Sequence, residues 1–266
     1  MATVKASEVG IARLRHAQES IRKSWEVVAD ESFVAKATTY KLLNGEAVQK
    51  ETVLALAKYF ELERREIVTD REWYPQFYGH DVGQLWKLLM DAAGEQPEKF
   101  WVIKAADKSQ LVREYTTLGA IPYRSSVPKA HRVSLNEEIN FCVDVPQAGH
   151  LVLLEREPNG SIVCLSPSEF VRQNSLGKGL SILPQVDNPY NLEAFGATEL
   201  GREELIACLL PDVPQGAELG WLETSRQEAM GLGVEQLVTL LGCVVEGLHA
   251  QLWKLNYEVV NAETVV

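Results

Sequence analysis

The spacing of apolar residues changes along this chain, and the change limits what it can fold into. Between Ser7 and Val68, apolar residues recur at helical spacing and no proline interrupts them. From Arg132 onward, short apolar runs separated by turn residues replace that pattern. A helical core and a β-rich core therefore follow one another, and we expect an α+β chain of two domains.

Length and charge fit that division. The chain has 266 residues, more than most single cores hold. The net charge of the whole chain is −11, which opposes binding to nucleic acid, because contacts between basic residues and phosphates supply much of the affinity for DNA. However, residues 1–69 carry 11 Lys or Arg and 10 Asp or Glu, whereas the remainder carries 15 and 27. The acidic excess therefore lies outside the first segment.

We predict five helices in residues 1–69, which we treat as the first domain. The expected helices are Glu8–Ser20, one that begins near the N-cap residue Ser24, Ala35–Leu43, Lys50–Phe60 and Glu63–Val68.

The second and third of these helices have the residue types that a helix-turn-helix requires. The small Ala29 lets the helices cross closely, Val34 follows the turn, Leu42 lies on the inner face and Gly45 ends the second helix. With residues 53–62 as a further helix, this segment resembles the Cro and phage-repressor family. The resemblance implies a five-helix helix-turn-helix domain that binds duplex DNA.

Three positions depart from the pattern of that family. Phe33 stands where the turn has glycine, Thr39 stands at an apolar inner site, and Ala35 replaces a capping Ser or Thr. A left-handed backbone at Phe33 costs about 1 kcal/mol or somewhat more. We therefore expect either a strained turn or a rebuilt one.

The outward face of the recognition helix comprises Lys36, Ala37, Tyr40, Lys41 and Asn44, which share one side by their spacing. We expect this face to enter the major groove. Lys36 and Asn44 are candidates for hydrogen bonds to base edges, and Lys41 for a phosphate contact. Ala37 and Tyr40 are candidates for contact with a thymine methyl group or a sugar.

Three further cations, Arg22, Lys23 and Lys50, are predicted to clamp phosphates. The alternative is that the same helical face is solvated and contacts a protein partner.

We interpret residues 70–130 as a connecting region with a helix at Val82–Ala93 and a strand at Phe100–Ile103. Its aromatic group has two interpretations, an anchor against a neighbouring domain or ordinary packing, of which packing is favoured. The group is Trp73, Tyr74, Phe77 and Tyr78.

Residues 131–266 are predicted to form a β-rich domain with helices. The expected strands are Ile139–Val143, Leu151–Leu154, Ile162–Leu165, Leu180–Leu183 and Leu255–Val260, and the expected helices are Glu203–Leu210 and Val234–Trp253. Over about 75 residues this order resembles the domain of unknown function family number 4384. The resemblance implies a small β-sandwich-like sensor or interaction domain that brings no catalytic residues.

The residues offer no positive sign of an enzyme, a metal site or a cofactor, and we expect none of the three. No phosphate loop, nucleophile elbow or paired metal-ligand spacing occurs in the sequence. The four widely separated cysteines, Cys142, Cys164, Cys208 and Cys243, are expected to be buried thiols in a reducing cytosol. A cytoplasmic location with no membrane partner is the corresponding expectation.

These observations favour a transcriptional regulator that binds duplex DNA as a homodimer, because one such module buries little surface on DNA. The C-terminal domain would supply dimer contacts, sense a signal or recognise a protein. The helix at Val234–Trp253 is either the dimer surface or part of its own core. The alternative function is a protein-interaction adaptor, in which the helix-turn-helix module docks onto a protein.

Overall fold

The computed structural model describes residues 3–118, 126–168, 171, 175–185, 192–211, 231–246 and 250–262. It is a mixed structure of helices and sheets. The described chain divides into two compact units, the first ending at His80 and the second beginning at Asp81. Residues 70–130, which we expected to be a connecting region, are therefore shared between the two units.

The first unit contains the five helices predicted from the sequence, at nearly the predicted positions. Its elements are β1 (Thr3–Val4), α1 (Glu8–Ile21), α2 (Trp25–Glu31), α3 (Lys36–Leu43), β2 (Val48–Gln49), α4 (Lys50–Tyr59), α5 (Arg64–Ile67) and α6 (Asp70–Trp73). The short antiparallel pair of β1 and β2 was not predicted, because two-residue strands have no measurable periodicity.

Helix α1 begins at a side-chain cap and packs closely on α5. The Ser7 hydroxyl accepts a hydrogen bond from the Gly10 amide at 3.0 Å. A Cβ atom on Gly10 would lie 2.0 Å from the carbonyl oxygen of Ile67, so a larger residue cannot occupy this position without moving the helices apart. Glycine at this site fixes the approach of α1 to α5.

A cluster of buried charged residues lies where α5 and α6 meet, near the end of the first unit. Asp70, only 2% exposed, accepts a hydrogen bond from Arg64 Nη1 at 2.6 Å and lies 3.5 Å from Arg65 Nε. The Arg64 guanidinium also lies over the buried rings of Trp73 and Tyr74. These aromatic residues therefore pack inside their own unit, in agreement with the favoured interpretation.

The second unit contains all five strands predicted in its C-terminal part, together with the expected strand near residue 100. Its elements are α7 (Val82–Ala92), β3 (Gly94–Glu95), β4 (Phe100–Lys104), α8 (Lys108–Leu118), β5 (Arg132–Ser134), β6 (Glu138–Val145), β7 (Gly149–Arg156), β8 (Ile162–Ser166), β9 (Ser175–Leu176), β10 (Gly179–Leu183), β11 (Phe195–Gly196), β12 (Gly201–Leu210), α9 (Val234–Val245) and β13 (Gln251–Val260). Helix α8 was not predicted.

Two sheets share one hydrophobic core in this unit. In the smaller sheet, β6 pairs with β4 on one edge and with β10 and β11 on the other. In the larger sheet, β13, β12 and β7 run side by side, with the short strands β3 and β5 on the outer edge of β13 and with β8 and β9 on that of β7. Alternate residues of both sheets form the common apolar cluster.

Strand β12 corrects our prediction of a helix at Glu203–Leu210. The segment pairs antiparallel with β13 on one side and with β7 on the other. Its apolar residues are buried on both faces of the sheet, so they form a continuous run without the alternation that marks a half-exposed strand. Tertiary pairing decided this segment against the helical preference of its glutamates and alanine.

Helix α9 is shorter than predicted and is part of the core. It ends at Val245, residues 247–249 lie outside the described part of the chain, and a strand already begins at Gln251. Trp253, predicted as the end of the helix, belongs to that strand and is 2% exposed in the shared core. The apolar residues of α9 are buried within the second unit, so the helix is part of its own core, which is one of the two interpretations given above. They are Leu237, Val238, Leu240 and Leu241.

Helix α7 packs on the face of the larger sheet that lies opposite the shared core. The Trp86 indole donates a hydrogen bond to Glu204 Oε2 at 2.9 Å, and the Lys254 ammonium donates one to the carbonyl of Met90 at 3.2 Å. The predicted helix is therefore a structural part of the second unit, as is the predicted strand near residue 100, which pairs with β6 in the smaller sheet.

The four cysteines are buried free thiols, as predicted. Among the described residues, no helix is long and apolar enough to cross a membrane.

Two glutamates lie on the core side of the larger sheet near its end. The Tyr257 hydroxyl donates a hydrogen bond to Glu155 Oε1 at 3.2 Å. Glu203, 5% exposed, is the register partner of Tyr257 on the next strand. Burial raises the pKa of Glu155 to about 7 and, together with the charge of Glu155 and of two further glutamates, raises the pKa of Glu203 to about 8.

We expect the second unit to lose stability as pH rises. Both carboxyls have folded pKa values above the ordinary value of 4.5, so the fold favours their protonated forms. This stabilisation is complete below about pH 4.5 and is lost as pH rises through about 7 and 8. The midpoint of thermal unfolding should therefore fall by about 5 °C or more between pH 6 and pH 9.

The variant Glu203→Gln should flatten that pH dependence, because a neutral amide replaces the group with the higher pKa. Glu138→Gln, at an exposed position on β6, is the matched control and should keep the pH dependence of the unmodified chain. An equally steep fall in the Glu203 variant would contradict the assignment.

Candidate nucleic-acid interface

The inner faces of α2 and α3 are buried as the sequence pattern predicted. Ala29 of α2 and Leu42 of α3 are fully buried, which permits the close crossing that we inferred from the small residue. Thr39, an unexpected polar residue at an inner site, is also buried. Its hydroxyl donates a hydrogen bond to the carbonyl of Ala35 at 3.4 Å, so the polar atom is satisfied inside its own helix.

The turn between α2 and α3 keeps the left-handed residue that usually favours glycine. Phe33 has φ of 57° and its side chain is 96% exposed. The next amide, that of Val34, donates a hydrogen bond to the Ala29 carbonyl at 2.9 Å and holds the turn against the end of α2. Of the two expected outcomes, strain or rebuilding, the chain adopts the strained turn with an aromatic ring in solvent.

We expect Phe33→Gly to stabilise the α2–α3 pair by about 1 kcal/mol, because glycine adopts positive φ without strain and the exposed ring contributes no packing. Native-state hydrogen exchange of the amides of both helices should show slower exchange in the variant.

The control for this substitution is Tyr40→Gly. It places glycine inside α3 and should speed exchange by weakening the helix by about 1 kcal/mol. Faster exchange in the Phe33 variant as well would show that the ring packs against the unit.

Helix α3 ends at Asn44 and Gly45. Gly45 has φ of 73°, and the Glu46 amide donates a hydrogen bond to the Lys41 carbonyl at 2.9 Å. This left-handed ending satisfies the last carbonyls of the helix, as the Asn-Gly pair predicted. Asn44 is left exposed at the end of the outward face of α3.

All five residues predicted for the outward face are exposed. They are Lys36, Ala37, Tyr40, Lys41 and Asn44. They offer ammonium donors, an amide that both donates and accepts, a phenol hydroxyl and a methyl group. This combination of groups can hydrogen-bond base edges and contact a thymine methyl group or a phosphate.

Glu26 on α2 adds a negative charge to this face, and sequence reasoning missed it. Its Oε1 atom lies 2.7 Å from Lys36 Nζ and accepts a hydrogen bond from the Tyr40 hydroxyl at 3.2 Å. The hydrogen bond from Lys36, followed by those from the backbone, Ser24 and Tyr40, lowers the pKa of Glu26 to about 2. The periodicity of one helix cannot reveal a pair between two helices.

The predicted phosphate clamps at Arg22 and Lys23 differ in their surroundings. Arg22 caps α1 in a left-handed conformation and is exposed. The Lys23 ammonium lies 2.6 Å from Glu31 Oε2, and the Tyr59 hydroxyl donates a hydrogen bond to the same carboxylate at 2.6 Å. The hydrogen bond from Lys23 is the main cause that lowers the pKa of Glu31.

Lys50, the third predicted clamp, is directed toward residues of its own unit. Its ammonium donates a hydrogen bond to the Trp73 carbonyl at 2.6 Å. It also lies 4.7 Å from the centre of the Trp73 ring and 5.5 Å from that of Tyr74. In this conformation the ammonium joins the start of α4 to the end of α6 and is engaged before any phosphate approaches.

We expect Glu26→Gln to raise affinity for random duplex DNA by about 3- to 10-fold, because it removes a negative charge beside the phosphates and releases Lys36 from its ion pair. The measurement is fluorescence anisotropy at several salt concentrations. Glu51→Gln, at an exposed position on α4, is the charge-matched control. Unchanged or weaker binding by the Glu26 variant would contradict this role.

The chain matches no family model, no curated protein and no solved structure. The candidate interface therefore stands on its own geometry.

Proposed function

We propose that this chain is a transcriptional regulator that binds duplex DNA as a homodimer in the cytoplasm. In this proposal, α2 and α3 form a helix-turn-helix, and the second unit is a β-sandwich-like domain for dimer contacts or signal sensing.

The observation that carries the proposal is the exposed face of α3, whose five outward residues all offer groups suited to DNA. The face lies on a helix held by buried contacts at Ala29 and Leu42 and ended by Gly45. Rigid presentation of polar groups on a short helix is how such modules read the major groove.

Dimerisation follows from energetics. A single module buries about 600–1,000 Å² on DNA, and two modules on half-sites one helical turn apart are needed for tight specific binding. The near-neutral first 69 residues reinforce this expectation, because they supply few phosphate contacts.

Selection of bound sequences from a random duplex pool tests the proposal. We expect enrichment of a two-fold symmetric site. Lys41→Ala should weaken binding to all sequences, whereas Asn44→Ala should relax the preference at particular base pairs. Lys58→Ala, at an exposed position on α4, is the control and should bind as the unmodified chain does. No enrichment together with a monomeric mass would overturn the proposal.

A protein-interaction adaptor is the second candidate, favoured by two features of the same surface. Phe33 exposes an aromatic ring beside the start of α3, and Glu26 engages Lys36, one of the cations that DNA would need. Exposed aromatic side chains are common anchors in protein interfaces.

Phe33→Ser separates the two candidates. If the chain is an adaptor, the Phe33→Ser variant should no longer capture a protein partner that the unmodified chain captures. The Lys41→Ala variant should still capture that partner. A DNA-binding regulator should show the reverse pattern, with DNA affinity sensitive to Lys41 and nearly insensitive to Phe33.

A further inference from the structure

The outer edge of β13 has a gap between the two short parallel strands that cover it. Strand β3 pairs with Trp253 and Lys254, and β5 pairs with residues Glu258–Val260. Residues 255–257 lie opposite neither strand. Pro97 explains where the gap begins, since proline has no amide hydrogen and the chain turns away at Gln96, whose carbonyl accepts two backbone hydrogen bonds.

The backbone of Asn256 points into this gap. The Glu258 amide donates a hydrogen bond to the His131 carbonyl at 3.0 Å, so residue 258 directs its polar backbone groups to the outer edge. Every second residue of a strand faces the same edge, and Asn256 therefore directs its N–H and C=O outward as well. From Lys254 to Glu258 the strand spans about 13 Å, enough for a ligand that adds one donor and one acceptor.

A cavity of about 200 Å³ occupies the gap. It is lined by Asn256, by the charged or titratable Lys254, His131 and Glu95, and by the apolar Phe100 and Leu255, among others.

The side chain of Asn256 supplies a second, independent indication of a ligand. Its Oδ1 atom is buried and has no hydrogen-bond partner among the described residues. A buried carbonyl oxygen without a donor costs about 1–3 kcal/mol, so the site favours a molecule that brings a donor.

The charges around the cavity have both signs. Lys254 uses one of its three ammonium donors on the carbonyl of Met90 at 3.2 Å and retains two for a ligand. Glu95 is exposed at the rim, and its carboxylate attracts a positively charged group. Pro97, which is exposed, and Leu255 supply apolar atoms to the lining.

We propose that this cavity binds a free L-α-amino acid with an apolar side chain. The ammonium group donates hydrogen bonds to Asn256 Oδ1 and to the outward carbonyl of the same residue. The carboxylate accepts from the outward Asn256 amide and faces Lys254. The side chain packs against Pro97 and Leu255. The site belongs to the second unit, and its existence does not depend on DNA binding by the first.

The test is isothermal titration calorimetry of the full chain with five probes, L-leucine, L-isoleucine, L-valine, L-methionine and L-phenylalanine, each to about 10 mM. We expect saturable binding of at least one probe with Kd below about 1 mM. N-acetyl-L-leucine amide, which lacks both charges, and L-glutamate, which lacks the apolar side chain, should bind at least about 10-fold more weakly than the best probe.

Asn256→Leu should weaken binding at least about 10-fold, because it removes the side-chain oxygen that accepts from the ammonium group. The variant should unfold at the same temperature as the unmodified chain or higher, since it removes an unsatisfied buried oxygen and keeps the same branched arrangement of heavy atoms. Glu95→Gln, at an exposed position, should weaken binding without affecting folding. Glu138→Gln, on the other sheet, is the matched control and should bind normally.

Three results would overturn the proposal. They are the absence of saturable binding for all five probes, unchanged binding by Asn256→Leu, and binding of an unstructured peptide where no free amino acid binds. The last result would assign the open edge to a protein strand instead. Because no measurement in this test involves DNA, failure of the DNA proposal leaves the test unaffected.

Discussion

The ladder between β12 and β13 is the constraint on which the second unit depends. Its register sets Glu203 beside Tyr257 on the core side and directs Cys208 to the opposite face. The same register leaves Asn256 between β3 and β5 on the outer edge. A slip of one residue would exchange the two faces, so the acidic pair in the core and the cavity at the edge are consequences of one alignment.

In the first unit, the corresponding constraint is the left-handed turn at Phe33. The turn aims α3 so that its apolar side is buried and its polar side is exposed. The charge of that surface is set jointly by two helices, because Glu26 of α2 pairs with Lys36 of α3. Shape and charge therefore have separate origins: the shape follows from the packing of Ala29 and Leu42, and the charge from an ion pair across the helices.

The two proposals together describe a regulator whose signal is an amino acid with an apolar side chain. DNA contact is proposed for the helical unit and ligand contact for the sheet edge at Asn256. Coupling between them would require that the ligand bind more tightly to one DNA-binding state than to the other. The two proposals depend on different residues and are tested by different measurements, so each can be confirmed or contradicted independently of the other.

Periodicity and turn chemistry were sufficient for most local structure. The five N-terminal helices, the cap at Ser24, the stop at Gly45 and the exposed face of α3 depend on residues close in sequence, and local preference predicts such features. The sequence alone could not identify β12 as a strand, since its burial on both faces comes from neighbouring strands. Nor could it reveal the Glu26–Lys36 pair, the engagement of Lys50 by Trp73 or the gap beside Asn256. Only the tertiary structure decided these features, because each arises where segments distant in sequence meet.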